Sequence, residues 1–180
     1  MIKHSTIPDG AYSYIQEKLN ELEKEHNVKI LLAVESGSRA WGFPSQNSDY
    51  DVRFVYSRNL DDYLSIEPLR DVIGTPITYD TNLGTDLDLI GWDVKKALAL
   101  AMQSNFTLSE WFTSPIIYIS REGAEILYDF ISKYYDLKIL SYRYQNWARN
   151  IWEQNKDKTQ HIKIKSYCYI MRLFLCCQYI

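Results

Sequence analysis

Cysteine, histidine, proline and glycine are all scarce in these 180 residues, and each shortage removes a class of protein. Three cysteines (Cys168, Cys176, Cys177) fall within the last thirteen residues. They are odd in number, two are adjacent, and no histidine stands near them at a zinc-ligand spacing. A disulfide scaffold and a zinc site are thereby excluded, and the three read as small apolar residues of a buried helix. The histidines (His4, His26, His161) lie in polar surroundings with no partner motif, so none is a candidate general base. No run approaches eighteen uncharged apolar residues, which excludes a membrane-spanning helix. Met1-Ile2-Lys3-His4 leads into polar residues and Pro8 without an apolar signal core, so a cytoplasmic protein is expected. No internal repeat or low-complexity tract is present.

What remains is an ordinary globular composition, 46% hydrophobic and 24% charged, long enough to bury a core. The net charge of −3 conceals an asymmetry. Residues 131–180 hold nine Lys/Arg against three Asp/Glu; residues 1–130 hold eleven against twenty. An acidic half followed by a basic half suits an enzyme that handles divalent cations and polyphosphate. Solvation of helix faces by Lys156, Lys158, Lys163 and Lys165 accounts for the basic half equally well.

The most informative stretch runs from Glu35 to Arg53. An apolar strand, Ile30-Leu31-Leu32-Ala33-Val34, empties into Ser36-Gly37-Ser38; a ten-residue loop follows; Asp49-Tyr50-Asp51 then opens a second apolar strand. Residues two apart on a strand share a face, so Asp49 and Asp51 project together. Two carboxylates about 4 Å apart repel by about 4 kcal/mol at an effective dielectric of about 20. Such a pair calls for a cation, and hard oxygen ligands suit Mg²⁺ shared with substrate phosphates. Gly37 lets the backbone approach a phosphate, and the Ser38 hydroxyl and nearby N–H groups can bind its oxygens.

This pattern resembles the DNA polymerase β nucleotidyltransferase superfamily, whose signature is Gly-Ser, a short loop and Asp-x-Asp. The longer runs Ser36-Gly-Ser-Arg-Ala-Trp-Gly-Phe43 and Asp49-Tyr-Asp-Val-Arg-Phe54 resemble its RlaP subgroup, the RNA repair pathway DNA polymerase beta family. Gly91-Trp92-Asp93, Ser104-Asn105 with Glu110-Trp111, Ser114-Pro115-Ile116 and Lys165-Ser-Tyr-Cys-Tyr169-Ile-Met-Arg172 extend the likeness over roughly residues 10 to 180. The resemblance implies an α+β fold: a small mixed β-sheet with flanking helices over 1–120, then an all-helical segment over 121–180.

It also implies a mechanism. Asp49 and Asp51 would bridge two Mg²⁺ ions about 3.5–4 Å apart, with Mn²⁺ as a substitute. A hydroxyl on RNA, a protein or a small molecule would attack the α-phosphate of an NTP and expel pyrophosphate. The third metal ligand should come from Thr85-Asp86-Leu87-Asp88, where Asp86 and Asp88 share a face; the subgroup's pattern favours Asp88, with Asp86 the alternative. Arg39 and Arg53 can each reach a phosphate, and Arg53 can equally hold the aspartates. Lys165, Tyr169 and Arg172 share one face of the last helix and can close over the triphosphate and base, or form an amphipathic surface. Trp41, Phe43 and Trp92 can stack a base or belong to the core. The competing reading is a non-catalytic nucleotide-binding or regulatory module, such as one half of a toxin–antitoxin pair.

Local patterns complete the expectation. Helices are expected over 11–25, 60–66, 94–104, 122–134, 138–156 and 161–180, with strands near 28–35, 50–56 and 116–119 and two more within 69–90. Asp93 should cap the helix after it, and Thr107-Leu-Ser-Glu110 reads as a capping box. Ile170 to Ile180 is apolar almost all round and ends without a cap. The resembled subgroup continues beyond this point, so a truncated C-terminus and self-association through the last helix are expected.

Overall fold

The computed structural model describes residues 7–156 and 164–180. His4, Lys158, His161, Lys163 and the expected first turn of the last helix lie outside the described residues. The elements in chain order are α1 (Asp9–His26), β1 (Lys29–Glu35), α2 (Gly37–Ala40), β2 (Tyr50–Ser57), α3 (Leu60–Leu64), β3 (Val72–Gly74) and β4 (Thr78–Asp80). They continue as β5 (Thr85–Asp93), α4 (Val94–Ala101), α5 (Phe106–Phe112), β6 (Ile117–Ser120), α6 (Glu122–Tyr134), α7 (Leu137–Asn155) and α8 (Ile164–Tyr179). This is the expected α+β arrangement, a small mixed sheet followed by helices.

The sheet order is β3-β5-β2-β1-β6, with β4 also pairing β5. Among the strand pairs of the described residues, β2 and β5 run parallel and the others antiparallel. That parallel register places Asp51 opposite Asp88. The segment 69–90 contributes to three strands rather than the expected two. Thr78–Asp80 and Thr85–Asp93 form a hairpin around Gly84, while Val72–Gly74 pairs the far end of the same long strand.

Apolar side chains cover both faces of the sheet. On one, Ile15, Leu19 and Leu22 of α1 pack against Ile30, Val52 and Phe54. On the other, Leu32, Val34 and Val55 meet Ala97, Leu108, Trp111 and Leu127. Full burial of each such branched or aromatic side chain stabilises by about 1.5–3 kcal/mol. Gly91 has no side chain because the Phe54 ring lies across it: a Cβ there would sit 2.0 Å from that ring. Trp92 stacks on Trp111 at 4.0 Å between centroids and belongs to this core, not to a base-binding surface.

The cap at Asp93 forms as expected, its carboxylate accepting the Lys95 N–H at 2.8 Å. The capping box at Thr107 does not. Helix α5 starts earlier, with Asn105 Oδ1 accepting the Leu108 N–H at 3.0 Å. Asn105 wins because Ser104 takes a left-handed turn (φ 51°) that sets the chain for a cap one residue on. Glu110 is thus released from capping and is buried.

Helices α7 and α8 pack together through Leu140, Tyr144, Ala148 and Leu173. Outside that seam, α8 leaves Met171, Phe174 and Leu175 about half exposed or more (61%, 60% and 49%). Among the described residues no helix is long and apolar enough to cross a membrane.

Candidate active site

Alternation along β2 and the parallel partner β5 decide where the carboxylates point. Asp51 and Asp88 stand side by side, and the guanidinium of Arg53 spans them. Its Nη2 donates to Asp88 Oδ2 at 2.7 Å and Asp51 Oδ1 at 3.2 Å; its Nη1 donates to the backbone carbonyls of Val52 and Asp88. Asp86, by contrast, pairs with Tyr79 and is exposed. Asp49 precedes β2, half-buried, and its charge acts on Asp51. Burial raises the Asp51 carboxyl above its ordinary value; Arg53 opposes this, Asp49 and Asp88 reinforce it, and Lys165 opposes it again. A hydroxyl, phosphate or cation placed here therefore meets one concentrated cluster of charge.

The Gly-Ser turn lies against Asp51. Gly37 adopts φ +60° in the expected turn and begins α2, a short helix where only loop was expected. A Cβ on Gly37 would sit 1.9 Å from Asp51 Oδ2, so only glycine leaves room for that carboxylate. Gly37→Ala is expected to displace Asp51 and to cost about a hundredfold in turnover, the scale of a roughly 1 Å misplacement. It should also lower stability, because alanine at positive φ is strained. Turnover together with a denaturant melt checks this; wild-type behaviour in both would contradict the packing.

Ser38 and Arg39 face the loop rather than the open site. The buried Ser38 hydroxyl lies 3.2 Å from that of Ser48. Arg39 donates from Nη2 to the Ser48 carbonyl at 2.5 Å and from Nε to the Asp49 carbonyl at 3.0 Å, with its guanidinium over the Tyr50 ring. Both residues fasten the chain immediately before and at Asp49. Arg53 is likewise engaged by the aspartates, the second of the two roles open to it.

Helix α8 faces this cluster. Tyr169 meets Phe43 edge-on at 5.0 Å, and its phenol is pushed up to about 12 by burial and then by the charge of Asp51. Arg172 lies over Trp41 at 4.2 Å and donates to Glu110 Oε1 at 2.6 Å. Lys165 is exposed. Between the two halves is a cleft of roughly 440 Å³ bounded by Gly37, Asp51 and Arg53 on the sheet side and Trp147, Gln154 and Tyr169 on the helical side. Two cavities among the described residues are larger, about 490 Å³ between α7 and α8 and about 640 Å³ beside Arg58 and Asp93. Neither contains paired carboxylates against a glycine turn, so chemistry singles out the first.

The places of three residues at the site are not legible in the sequence: Glu35, Glu110 and Trp147. Glu35 is fully buried beneath Asp51, and burial raises its carboxyl to about 7 despite donors from Tyr118 and the Asp51 backbone. Its folded value exceeds its ordinary 4.5, so its contribution to stability is fully present below pH 4.5 and lost as pH rises through about 7. Glu35→Gln keeps the shape without the charge. It is expected to be more stable than wild type at pH 8, by up to about 3 kcal/mol, with the gap closing by pH 4.5. Urea melts in chelator at the two pH values check this, and a gap independent of pH would refute it.

Fit to a divalent cation rests on Asp88. Its Oδ1 is buried and has no hydrogen-bond partner, an acceptor that costs about 1–3 kcal/mol when left unmatched. An all-oxygen acidic set with a spare buried acceptor suits a hard cation. Among the described residues, no three acidic, histidine or cysteine side chains are yet gathered tightly enough to hold an ion; Arg53 spans Asp51 and Asp88 instead.

A mixed sheet with Gly-Ser in the turn after β1 and Asp-x-Asp at the start of β2, followed by helices, is the arrangement of a polymerase β-type protein. The chain belongs to RlaP, the RNA repair pathway DNA polymerase beta family, whose model matches residues 12–180. It is 44% identical over 169 residues to the uncharacterized protein YcgL of Bacillus subtilis (strain 168). That alignment covers 92% of this chain and 62% of the relative, so the chain spans less than two thirds of the relative's length.

Proposed function

We propose that this protein is a Mg²⁺-dependent nucleotidyltransferase that moves a nucleoside monophosphate from an NTP to a hydroxyl of RNA, a protein or a small molecule. The observation that carries the reading is the Asp51–Asp88 pair in parallel register, with Asp51 seated on Gly37 at the mouth of a cleft. Asp49, Asp51 and Asp88 would hold the cations, two ions of Mg²⁺ or Mn²⁺. When bound, these supply Lewis-acid stabilisation of the triphosphate and lower the pKa of an acceptor hydroxyl.

The chain's own residues do the rest. The acceptor hydroxyl gives its proton to water as its oxygen forms a bond to the α-phosphorus; the bond to the bridging oxygen breaks, and pyrophosphate leaves with the electron pair. Gly37 keeps Asp51 close to that centre, while Ser38 and Arg39 fix Asp49. Arg53 keeps Asp51 and Asp88 in one orientation. Lys165 adds positive charge on the triphosphate side, and Tyr169 and Arg172 form the wall that limits water. Catalysis of this kind depends on positioning and charge neutralisation, which removes the need for a histidine base.

Incubation with NTPs labelled at the α-phosphate, in the presence of cellular RNA or protein, tests the reading. Label is expected to enter one of these pools; binding of NTP without any transfer would favour a regulatory nucleotide-binding module. The half-exposed apolar residues of α8 further support association with a second copy, since monomers rarely expose patches beyond a few hundred Å². Light scattering should find particles larger than a monomer, and Phe174→Glu should return them to monomers; a monomeric wild type would contradict this.

A further inference from the structure

We infer that Glu35, fixed by Tyr118, is a positioning residue that sets the place of Asp51; this rests on the nucleotidyltransferase reading of the site. Glu35 ends β1 and is fully buried, so it cannot touch a substrate. Its two carboxylate oxygens divide their work. Oε1 accepts the Asp51 backbone N–H at 3.0 Å, and Oε2 accepts the Tyr118 O–H at 2.6 Å. One side chain therefore ties β2 to β6 across the strand between them.

The backbone around it is held as firmly. The Glu35 N–H donates to the Ile116 carbonyl at 3.0 Å, and the Ser114 hydroxyl donates to the Glu35 carbonyl at 2.6 Å. The next residue, Ser36, donates its N–H to the Asp51 carbonyl at 2.7 Å. Asp51 lies one residue beyond the last β1–β2 pair, Glu35↔Val52, so the ladder itself leaves its N–H to the glutamate side chain.

A buried carboxylate is an expensive way to fill this space, because an apolar residue of similar volume would stabilise the strand more. What the carboxylate supplies is an acceptor at a defined point, and that point fixes the amide of a proposed metal ligand. Supporting groups behind metal ligands typically alter metal affinity or activity 10–100-fold when removed. The requirement is for an acceptor, not for a charge. Glutamine meets it, since its carbonyl oxygen can take the Asp51 N–H while Tyr118 rotates to accept from its amide. Alanine does not.

The test compares Glu35→Ala, Glu35→Gln and Tyr118→Phe by three readouts: Mn²⁺ affinity from electron paramagnetic resonance, kcat and KM for NTP, and hydrogen exchange at the Asp51 amide. Glu35→Ala is expected to weaken Mn²⁺ binding and lower kcat by about tenfold or more, with KM little changed. Its Asp51 amide should exchange at least about tenfold faster, and Glu35→Gln should stay within about threefold of wild type in all three. Tyr118→Phe, which frees only the far oxygen, should fall between the two. Should Glu35→Ala fail to fold, Tyr118→Phe carries the comparison. Wild-type Mn²⁺ affinity, kcat and Asp51 exchange in the folded variant that lacks its bond would overturn the inference. A wild-type protein that neither binds Mn²⁺ nor releases pyrophosphate would instead defeat the nucleotidyltransferase reading. The exchange rate of the Asp51 amide would still decide whether Glu35 holds it.

Discussion

Asp51→Asn is expected to lose at least about a hundredfold in turnover, the scale of deleting one group that stabilises a transition state, while folding as well as wild type or slightly better. Burial and the charges of Asp49 and Asp88 all disfavour the ionised Asp51. Asparagine removes that repulsion with almost no change in shape. What folding loses is the 3.2 Å contact to Arg53, and Arg53 keeps its shorter bond to Asp88. Function and stability therefore move in opposite directions, as expected where charges are gathered for chemistry rather than for the fold. Parallel thermal melts and turnover assays check this. Near-normal turnover in the variant would refute the role given to Asp51.

The largest loss of stability is expected at Glu110. It and Arg172 form a buried pair, with side chains 7% and 13% exposed. Burial raises the Glu110 carboxyl above its ordinary value, and the charge and hydrogen bond of Arg172 oppose that rise. The Arg172 Nε already lacks a partner. Glu110→Ala would leave a guanidinium confined between Trp41 and Trp147 with no counter-charge, a defect worth about 3–5 kcal/mol. The double variant Glu110→Leu with Arg172→Leu should recover most of that stability, because an apolar pair of similar size often replaces a buried ion pair without loss. It should not recover activity, because Arg172 belongs to the proposed wall of the cleft. Urea melts of the single and double variants check the first half of the statement. A single-variant loss below about 1 kcal/mol, the value typical of an exposed pair, would show that the clamp is not buried in solution.

These two residues also mark where sequence reasoning stops. The carboxylates were readable because strand alternation is local: Asp51 and Asp88 each sit in a short alternating run whose faces are fixed by period two. The glycine turn was readable because few residues accept its geometry. Glu110 misled because Thr107-Leu-Ser-Glu110 has the form of a capping box, and the real cap, Asn105, lies only two residues earlier. Its true partner is 62 positions away, beyond any periodicity. Glu35 was harder still. It reads as the polar end of an apolar strand, and its burial depends on Tyr118, 83 residues later, closing over it from β6. The extra strand within 69–90 was missed because three residues bounded by Gly74, Pro76 and Gly84 leave little alternation to count. Ser38 was legible as part of a turn, but not its direction, which is set by the Ser48 hydroxyl across the loop.

In the proposed activity, Asp49, Asp51 and Asp88, set against the Gly37 turn, carry out metal-dependent nucleotidyl transfer. The most direct measurement is pyrophosphate release from an NTP by the wild type and Asp51→Asn, each with Mg²⁺ and with a chelator, in the presence of the acceptor pool that takes up label. Release is expected only from the wild type and only with Mg²⁺, in step with transfer of the α-phosphate to acceptor. Release that is unaffected by the chelator, or equal in the two proteins, would contradict it.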